Sequence, residues 1–148
     1  MPAARPTIEV RPVVTATDRD AAYAIRRRVF QDEQGVPAEL EFDGDDDSAV
    51  HVIATGDGAV IGTGRLVLHA GYAKVGRMAV LREWRGSGAG RAILLALMTE
   101  AVRRGSTRMV LHAQVHAIGF YERSGFRIVG DEFDEAGIPH RRMERAVR

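Results

Sequence analysis

The chain has 148 residues, the length of one ordinary domain, and a chain of this size buries about two thirds of its unfolded surface in a single core. Its 21 basic and 20 acidic side chains leave a net charge of only +1, so charge does not indicate a nucleic-acid partner. The absence of cysteine excludes disulfides, thiolate metal sites and a cysteine nucleophile. We therefore expect a single domain over residues 1–148.

The apolar segments are too short for a membrane protein. The first ten residues, MPAARPTIEV, contain no apolar signal region. The longest aliphatic run, residues 92–98, is far short of the roughly 20 residues that a bilayer span needs. We therefore expect a cytoplasmic protein without a membrane partner.

The first third of the chain predicts a strand, a helix and an acidic loop. Residues 7–15 are rich in valine and isoleucine, which predicts a strand. A helix beginning near Thr17 and ending before Gly35 has apolar residues at three- and four-residue intervals. The three arginines at 26–28 lie on this helix, and a solvent-exposed face is their favoured interpretation. Residues 39–47 hold six of the 20 acidic residues, which predicts a solvent-facing loop, although such a loop could also attract a cationic amine.

The rest of the chain predicts alternating strands and helices. Further strands are expected at residues 49–54, 59–68, 72–81, 109–113, 126–130 and 139–147, and the first two flank a strong hairpin signal. Residues 88–104 form an apolar helix that should pack against a sheet, and residues 116–123 form a short helix. The pattern predicts an α+β fold with a mixed sheet of six to seven strands and about four helices.

A glycine-rich segment between a predicted strand and a predicted helix is the most informative feature. Gly86, Gly88 and Gly90 alternate over five residues, and glycine lets the backbone turn tightly and approach an anion closely. The helix that follows points its positive dipole end at the same place, with Arg85 and Arg91 at the rim. The segment predicts a diphosphate site, although a simple tight loop would have the same spacing. The spacing matches neither a Walker loop nor a Rossmann fingerprint.

Several motifs in a common order resemble the GNAT acetyltransferase superfamily. Arg85-Gly86-Ser87-Gly88-Ala89-Gly90 matches Arg-x-x-Gly-x-Gly, the pattern of that superfamily's pyrophosphate loop for acetyl-CoA. Downstream, LHAQVHAIGFYERSGFRIVG looks like its second motif, a strand and a short helix that ends in Tyr-Glu-x-x-Gly-Phe. VF-x-x-EQ near the start, the acidic loop, LHAQ and GIPH-x-x-M together are similar to the ElaA-like (YjcF-like) branch.

The resemblance implies a fold and a co-substrate, acetyl-CoA. The sheet should be mostly antiparallel and should splay between the strands at 72–81 and 107–113. Pantetheine would lie in that slot and bond the main chain at Met78, Ala79 and Val80, a segment that otherwise reads as a core strand. Gln114 stands where the superfamily most often has asparagine; the ElaA-like branch has glutamine there, and its amide could contact pantetheine or the linking loop.

The resemblance also implies transfer of an acetyl group to a small-molecule amine by direct attack in a ternary complex. The N–H of Met78 would polarise the thioester carbonyl, and Tyr121 would give a proton to the departing thiolate. Without the motif, Tyr121 would read as a packing residue. Covalent catalysis is not expected, because the chain has no cysteine and no serine in a nucleophile motif.

The acceptor side is less well defined. Glu33 is the leading hypothesis for the base that takes the proton of the amine, with His51 and His112 behind it. Gln34 and His140, together with both of those histidines, are predicted to contact the acceptor. Each of these residues could equally be an ordinary surface, strand or turn residue. His112 and His116 lack a third ligand nearby, so no metal site is expected.

Two alternative functions remain open at this point. One is a module that senses acyl-CoA without catalysing transfer. The other is an acyltransferase of the acyl-homoserine lactone synthase type, which shares the Arg-x-x-Val-Phe string but would need a long acyl groove and an adenosylmethionine pocket. The identity of the acceptor and the oligomeric state, a homodimer included, are not readable from the sequence.

Overall fold

The computed structural model describes residues 7–148. Within that range the strands are β1 (Ile8–Pro12), β2 (Val50–Gly56), β3 (Ala59–Leu68), β4 (Tyr72–Val80), β5 (Arg108–Gln114), β6 (Arg127–Ile128), β7 (Phe133–Glu135) and β8 (Ile138–Ala146). The α-helices are α1 (Ala16–Arg26), α2 (Ala38–Glu41), α3 (Ala89–Arg103) and α4 (Ile118–Glu122). A π-helix covers Arg27–Glu33, and 3₁₀ turns lie at Arg82–Trp84 and Val115–Ala117.

The strands form one mixed sheet in the order β1-β2-β3-β4-β5-β8-β6, with β7 also paired to β8. β4 and β5 run parallel, and the other pairs among residues 7–148 are antiparallel. The predicted hairpin between β2 and β3 closes at Asp57 and Gly58, whose φ angles of 50° and 78° suit a two-residue turn. The α+β class and the mostly antiparallel sheet are confirmed.

The eighth strand, β7, is one more than the sequence predicts. Its three residues lead into a two-residue turn at Ala136 and Gly137, which have φ angles of 53° and 78°. Positive φ at both positions is what a type I′ hairpin requires, and the turn pairs Glu135 with Ile138 of β8. A segment this short has no periodicity to reveal it as a strand.

Two glycines of β3 allow α3 to lie close to the sheet. A Cβ at Gly64 would stand 2.7 Å from Cγ2 of Ile93, and a Cβ at Gly62 would stand 2.9 Å from Cδ1 of the same side chain. Ile93 and Leu97 are fully buried at this contact, as the apolar pattern of the helix predicts. The packing anchors the helix whose N-terminus carries the glycine-rich segment.

The first predicted helix changes its hydrogen bonding halfway. Thr15 caps α1 by accepting a hydrogen bond from the Asp18 N–H at 3.1 Å. The chain then continues as the π-helix to Glu33 and leaves the helix at Gly35, where φ is 70°. A π-helix is wider than an α-helix and often occurs at functional sites. Here it carries Phe30 and Gln34 to the edge of a cavity.

The interpretation of the arginine triplet and of the acidic loop as solvent-exposed is wrong for Arg26, Glu41 and Asp46. Only 1% of each side chain is exposed in Arg26 and in Glu41, and their Nη2 and Oε2 atoms lie 2.6 Å apart. Asp46 accepts a hydrogen bond from Arg26 Nη1 at 2.7 Å. Arg27 and Arg28 are exposed, as predicted.

The buried ions form one connected network, which we call the Arg26 cluster. Arg65 donates to Asp43 at 2.7 Å and to Asp46 at 3.1 Å. Burial opposes the ionisation of Asp46, but the hydrogen bonds from Arg26 and Arg65 outweigh it and lower its pKa. The cluster joins α1, the acidic loop and the central strands; its members are Arg26, Glu41, Asp43, Asp46, Arg65 and Arg77.

Candidate active site

The sheet forks between β4 and β5. Tyr72 to Val75 pair with Arg108 to Leu111, and no backbone pairing between these two strands follows beyond those residues within 7–148. From Gly76 onward β4 pairs only with β3, while β5 from His112 onward pairs only with β8. Main-chain groups along the inner edges of the fork are therefore left to a ligand or to water, as the predicted splay requires.

A β-bulge lies on β4 at the fork. Thr63 pairs with Ala79 and Arg65 with Gly76, so Arg77 and Met78 together face the single residue Gly64. Arg77 has a φ of 51°, which is uncommon for a residue other than glycine. A bulge takes the extra residue out of the hydrogen-bonded ladder and redirects the groups beside it, here those of Met78.

The Arg26 cluster supports this bulge. The guanidinium of Arg77 donates to the carbonyl oxygens of Leu40 and Glu41 at 3.2 and 3.0 Å, and to the carboxylate of Asp43 at 3.1 Å. These bonds hold the strained residue to the C-terminal end of α2. The acidic loop therefore has a structural role at the centre of the site.

Tyr121 enters the fork from the α3 side of the sheet. Its hydroxyl lies 3.7 Å from the sulfur of Met78, and its ring packs edge-on against Phe120 and Phe126. Burial raises the pKa of Tyr121 to about 12, so its phenol is protonated at neutral pH. The side chain that the sequence assigns as a proton donor is held in its donor form.

The glycine-rich segment forms the loop before α3. Gly86 and Gly88 have φ angles of 79° and 93°, and Gly88 is the N-cap of the helix. Because the N-cap has no side chain, the N–H groups of the first helical turn at Gly90 and Arg91 are open to an anion. Ser87 turns inward, where its hydroxyl donates to the carbonyl oxygen of Trp84 and accepts from the Ala89 N–H.

Arg85 links this loop to the fork and to the π-helix. Its Nε donates to the carbonyl oxygen of Val80 at 3.0 Å, and its Nη2 lies 2.6 Å from Oε2 of Glu33. Arg91 is exposed on the first turn of α3. Open N–H groups with two cationic side chains nearby fit a diphosphate at the entrance of the fork.

A cavity of about 930 Å³ fills the fork and opens on the sheet face opposite α3. The π-helix and α2 bound it on one side, and β7 and β8 bound it on the other. Among its lining residues are Phe30, Gln34, Arg77, Met78, Ala79, Val80, Arg85, His112, Gln114, His116, Tyr121, Glu135 and His140. The volume lies in the range of small-molecule sites in proteins.

Two glutamines bridge the cavity. The amide of Gln114, at the end of β5, donates to Gln34 at 2.9 Å, and Gln34 donates back at 3.4 Å. The structure thus brings together a residue predicted to contact pantetheine and one predicted to contact the acceptor. Both amides lie at the junction of the fork and the open floor of the cavity.

A histidine–glutamate–histidine group lies on the opposite wall. Nδ1 of His112 is 3.0 Å from Oε1 of Glu135, and Nε2 of His140 is 3.6 Å from Oε2 of the same carboxylate. The hydrogen bond from His112 lowers the pKa of Glu135 despite its partial burial. The sequence predicts both histidines at the site but not Glu135, because Glu135 lies on β7, a strand too short for its pattern to reveal.

Two predicted residues are placed elsewhere. Glu33 is not among the residues that line the cavity, and its carboxylate is bound to Arg85. His51 is buried behind the acidic loop, where its Nε2 lies 2.9 Å from the carbonyl oxygen of Asp46 and its ring packs against Tyr23. Burial lowers the pKa of His51. The structure does not bring either residue to the wall of the cavity.

Within residues 7–148, no group of three or more histidine, cysteine or acidic side chains is arranged to hold a metal ion. None of the helices in that part of the chain combines the length and the apolar character needed to cross a membrane.

Comparison with known proteins supports the same interpretation. The model of the acetyltransferase (GNAT) domain family matches residues 14–147. The chain belongs to the GNAT acetyltransferase family. Membership in the GNAT family implies acyl transfer that depends on acyl-CoA, and the resemblance predicted from the loop and Tyr121 motifs is confirmed.

Individual relatives place the chain within the GNAT family. It is 38% identical over 126 residues to the uncharacterized N-acetyltransferase YjcF of Bacillus subtilis. The aligned residues cover 84% of this chain and 89% of that protein. The crystal structure of Escherichia coli ElaA is similar at a TM-score of 0.82 and 25% identity, covering 94% of this chain and 99% of that one. An acyl-CoA N-acyltransferase from Pseudomonas aeruginosa is similar at a TM-score of 0.79 and 29% identity, covering 95% and 100%.

Proposed function

We propose that residues 1–148 act as one domain that transfers an acetyl group from acetyl-CoA to a primary amine, by direct attack in a ternary complex. The observation that supports this proposal most strongly is the geometry of the fork between β4 and β5. The fork has the glycine loop with its open N–H groups at one end, a neutral tyrosine hydroxyl inside it and an open cavity beside it.

The donor would lie between β4 and β5. The main chain of Met78, Ala79 and Val80 would bond the pantetheine amides, since β5 no longer pairs with this stretch. Among residues 86–91, the N–H groups that are not hydrogen-bonded within the loop, those of Gly90 and Arg91 included, would bind the diphosphate, with the side chains of Arg85 and Arg91 adding charge and Gln114 lying at the inner end. Acetyl-CoA itself supplies the activated acetyl group, as a thioester.

The chain supplies the groups that the chemistry needs on the donor side. The bulge at Arg77 redirects the N–H of Met78, which can stabilise the developing oxyanion by about 3 kcal/mol. Tyr121 can give its proton to the departing thiolate. A phenol with a pKa of about 12 is a weak acid, but the burial that disfavours the phenolate also disfavours a thiolate in the same place. The proton transfer from Tyr121 to the thiolate therefore replaces one buried anion by another.

Calorimetry and a thiol-release assay test the proposal together. Coenzyme A should bind with measurable heat, and acetyl-CoA should release free thiol in the presence of one class of amine in a panel of polyamines, amino sugars, amino acids and peptides. Binding without turnover of any amine would favour an acyl-CoA sensor. Absence of binding to the folded protein would overturn the donor site.

Tyr121→Phe should lower turnover about 10²-fold with little change in affinity for acetyl-CoA, because it removes the proton donor and keeps the packing of the ring. Since the pKa of Tyr121 is about 12, its ionisation should cause no loss of activity below about pH 10 in the wild type. The measurement is kcat against pH.

Tyr23→Phe is the matched control, since Tyr23 packs against Phe42 and His51 outside the lining of the cavity. It should keep wild-type turnover. Unchanged turnover in Tyr121→Phe would remove this residue from the mechanism.

A further inference from the structure

His112 occupies a distinctive place in the fork. Leu111 is the last residue of β5 that pairs with β4, and His112 follows it directly. On β4 the residue that follows the last pair is Gly76, next to the bulge. Leu111 is buried in the core that packs on α3, so the alternation of the strand turns His112 to the opposite face, into the cavity. Gly76 has no side chain of its own, and the nearest side-chain atom to the position of a Cβ there is Nη2 of Arg65 at 3.7 Å.

The carboxylate of Glu135 determines which nitrogen of His112 is free. An ionised carboxylate only accepts hydrogen bonds, so at 3.0 Å from Oε1 the Nδ1 atom carries the hydrogen in a neutral ring. The lone pair is then on Nε2, and among residues 7–148 no protein group forms a hydrogen bond with that atom. The edge of the imidazole that faces the cavity is therefore a proton acceptor.

The surroundings hold this arrangement in place. Phe133 packs edge-on against the ring of His112 at 4.9 Å and stacks on His140 at 5.9 Å. Nδ1 of His140 donates to the carbonyl oxygen of Ile138 at 2.7 Å, which ties that ring to its own strand. About 23% of the His112 side chain is exposed, so a substrate in the cavity can reach it.

We propose that His112 is the general base of the reaction and that Glu135 is the residue that positions it. This inference rests on the proposed function, because it assigns the proton of the amine that such a transfer must remove. Neither residue belongs to the donor machinery of the loop and of Tyr121.

The step balances as follows. The ammonium form of the amine gives one proton to Nε2 of His112, the neutral nitrogen then forms a bond to the acetyl carbon, and the bond from that carbon to sulfur breaks while the nitrogen loses its second proton to solvent. The thiolate takes one proton from Tyr121. The imidazolium then loses its proton to solvent and the phenolate regains one, so that both residues return to their starting states.

The geometry separates the two proton transfers. The side chain of Met78 lies on the α3 side of the sheet, because a Cβ at Gly64 would contact both Leu97 of α3 and Met78. Tyr121 lies on the same side, because its hydroxyl contacts the sulfur of Met78. His112 lies on the other face. The acid for the leaving thiolate and the base for the incoming amine thus act from opposite sides of the fork.

Other groups near the cavity are less suited to this role. Glu33 is bound to Arg85, while Asp43 and Glu41 are bound to arginines of the Arg26 cluster. His140 has its Nδ1 engaged and its side chain is only 8% exposed. His112 combines access to the cavity with a carboxylate partner.

Several charged or titratable residues line the same cavity as His112. Glu135 lies on β7, Lys74 on β4, and His140 and Arg142 on β8. Glu135→Gln can keep the hydrogen bond through its amide oxygen but loses the charge.

The test uses full-length variants with acetyl-CoA and the amine that turns over fastest in the panel. His112→Gln should lower turnover about 10²-fold at pH 7, and the loss should shrink as the pH approaches about 10.4, where a free alkylamine sheds its own proton. Glu135→Gln should lower turnover about 10-fold, and Glu132→Gln, an exposed acid just before β7, should leave it unchanged. Equal losses for His112→Gln at all pH values, or no loss, would overturn the proposal.

Two measurements separate this inference from the proposed function. Calorimetry should show that both variants bind coenzyme A as the wild type does; a wild type that does not bind it would overturn the donor site, and the base with it. Nitrogen-15 NMR of the imidazoles, with the His112 signal identified by its loss in His112→Gln, should show hydrogen on Nδ1 in the unliganded wild type. Hydrogen on Nε2 instead would overturn the role of Glu135 whatever the activity.

Discussion

Gly88→Val should abolish the binding of coenzyme A while the chain stays folded. Gly88 has a φ of 93° at the N-cap of α3, and no atom outside its neighbours lies within 4 Å of the position that a Cβ would take. A valine side chain would therefore stand in the open space before the helix, where it would cover the first-turn N–H groups and crowd a diphosphate. The measurement is calorimetry with coenzyme A, together with urea unfolding.

Gly105→Val provides a matched control at the other end of the same helix. Gly105 also has a left-handed backbone, with a φ of 87°, and open space around its would-be Cβ. Valine at either position should cost about 1–2 kcal/mol of stability through backbone strain. Only the Gly88 variant should lose coenzyme A. Unchanged affinity in Gly88→Val would show that the diphosphate binds elsewhere.

Arg26→Met should lower the free energy of unfolding by about 3–5 kcal/mol. Methionine keeps most of the aliphatic stem, but Glu41 and Asp46 would lose the guanidinium that neutralises them in a buried place. Removing one partner of a buried ion pair leaves an uncompensated charge, which costs more than the pair contributes. Arg27→Met, at the exposed neighbouring position, should change stability by less than about 0.5 kcal/mol in the same urea titration. Equal stability of the two variants would show that the cluster is not a structural unit.

The same cluster should make stability depend on pH in the acid range. The pKa values of Asp43 and Asp46 are lowered in the folded state, where their arginine partners outweigh the opposing effect of burial. Their contribution is thus fully present above the ordinary aspartate pKa of about 3.9 and is lost as the pH falls through the lowered values. Arg26→Met should therefore unfold at a higher pH than the wild type in an acid titration followed by circular dichroism.

Much of the fold could be predicted because its signals are local. The turn at Asp57 and Gly58, the apolar face of α3 and the glycines at 86, 88 and 90 each depend on residues close together in the chain. The motif around Tyr121 is local too, and the structure places its hydroxyl in the fork beside Met78. Local patterns of this kind need no knowledge of distant partners.

The errors concern residues whose environment depends on distant segments. Arg26 and Glu41 are 15 positions apart and both charged, and charged residues are rarely buried unless they are paired. Nothing in the local pattern shows that each finds its partner. The role of Glu135 depends on a three-residue strand that forms only because β8 is there to pair with it.

The amino-acid sequence by itself determined the class of the fold and the positions of the glycine loop before α3 and of the motif around Tyr121, since turns, helix faces and motifs are encoded within short stretches. The tertiary structure alone decided that Glu41 and Asp46 of the acidic loop are buried against Arg26, that Glu33 binds Arg85, and that Glu135 lies beside His112. The physical reason is that buried ion pairs and oriented imidazoles depend on groups brought together by the sheet from positions far apart in the chain, and spacing along the chain carries no information about such meetings.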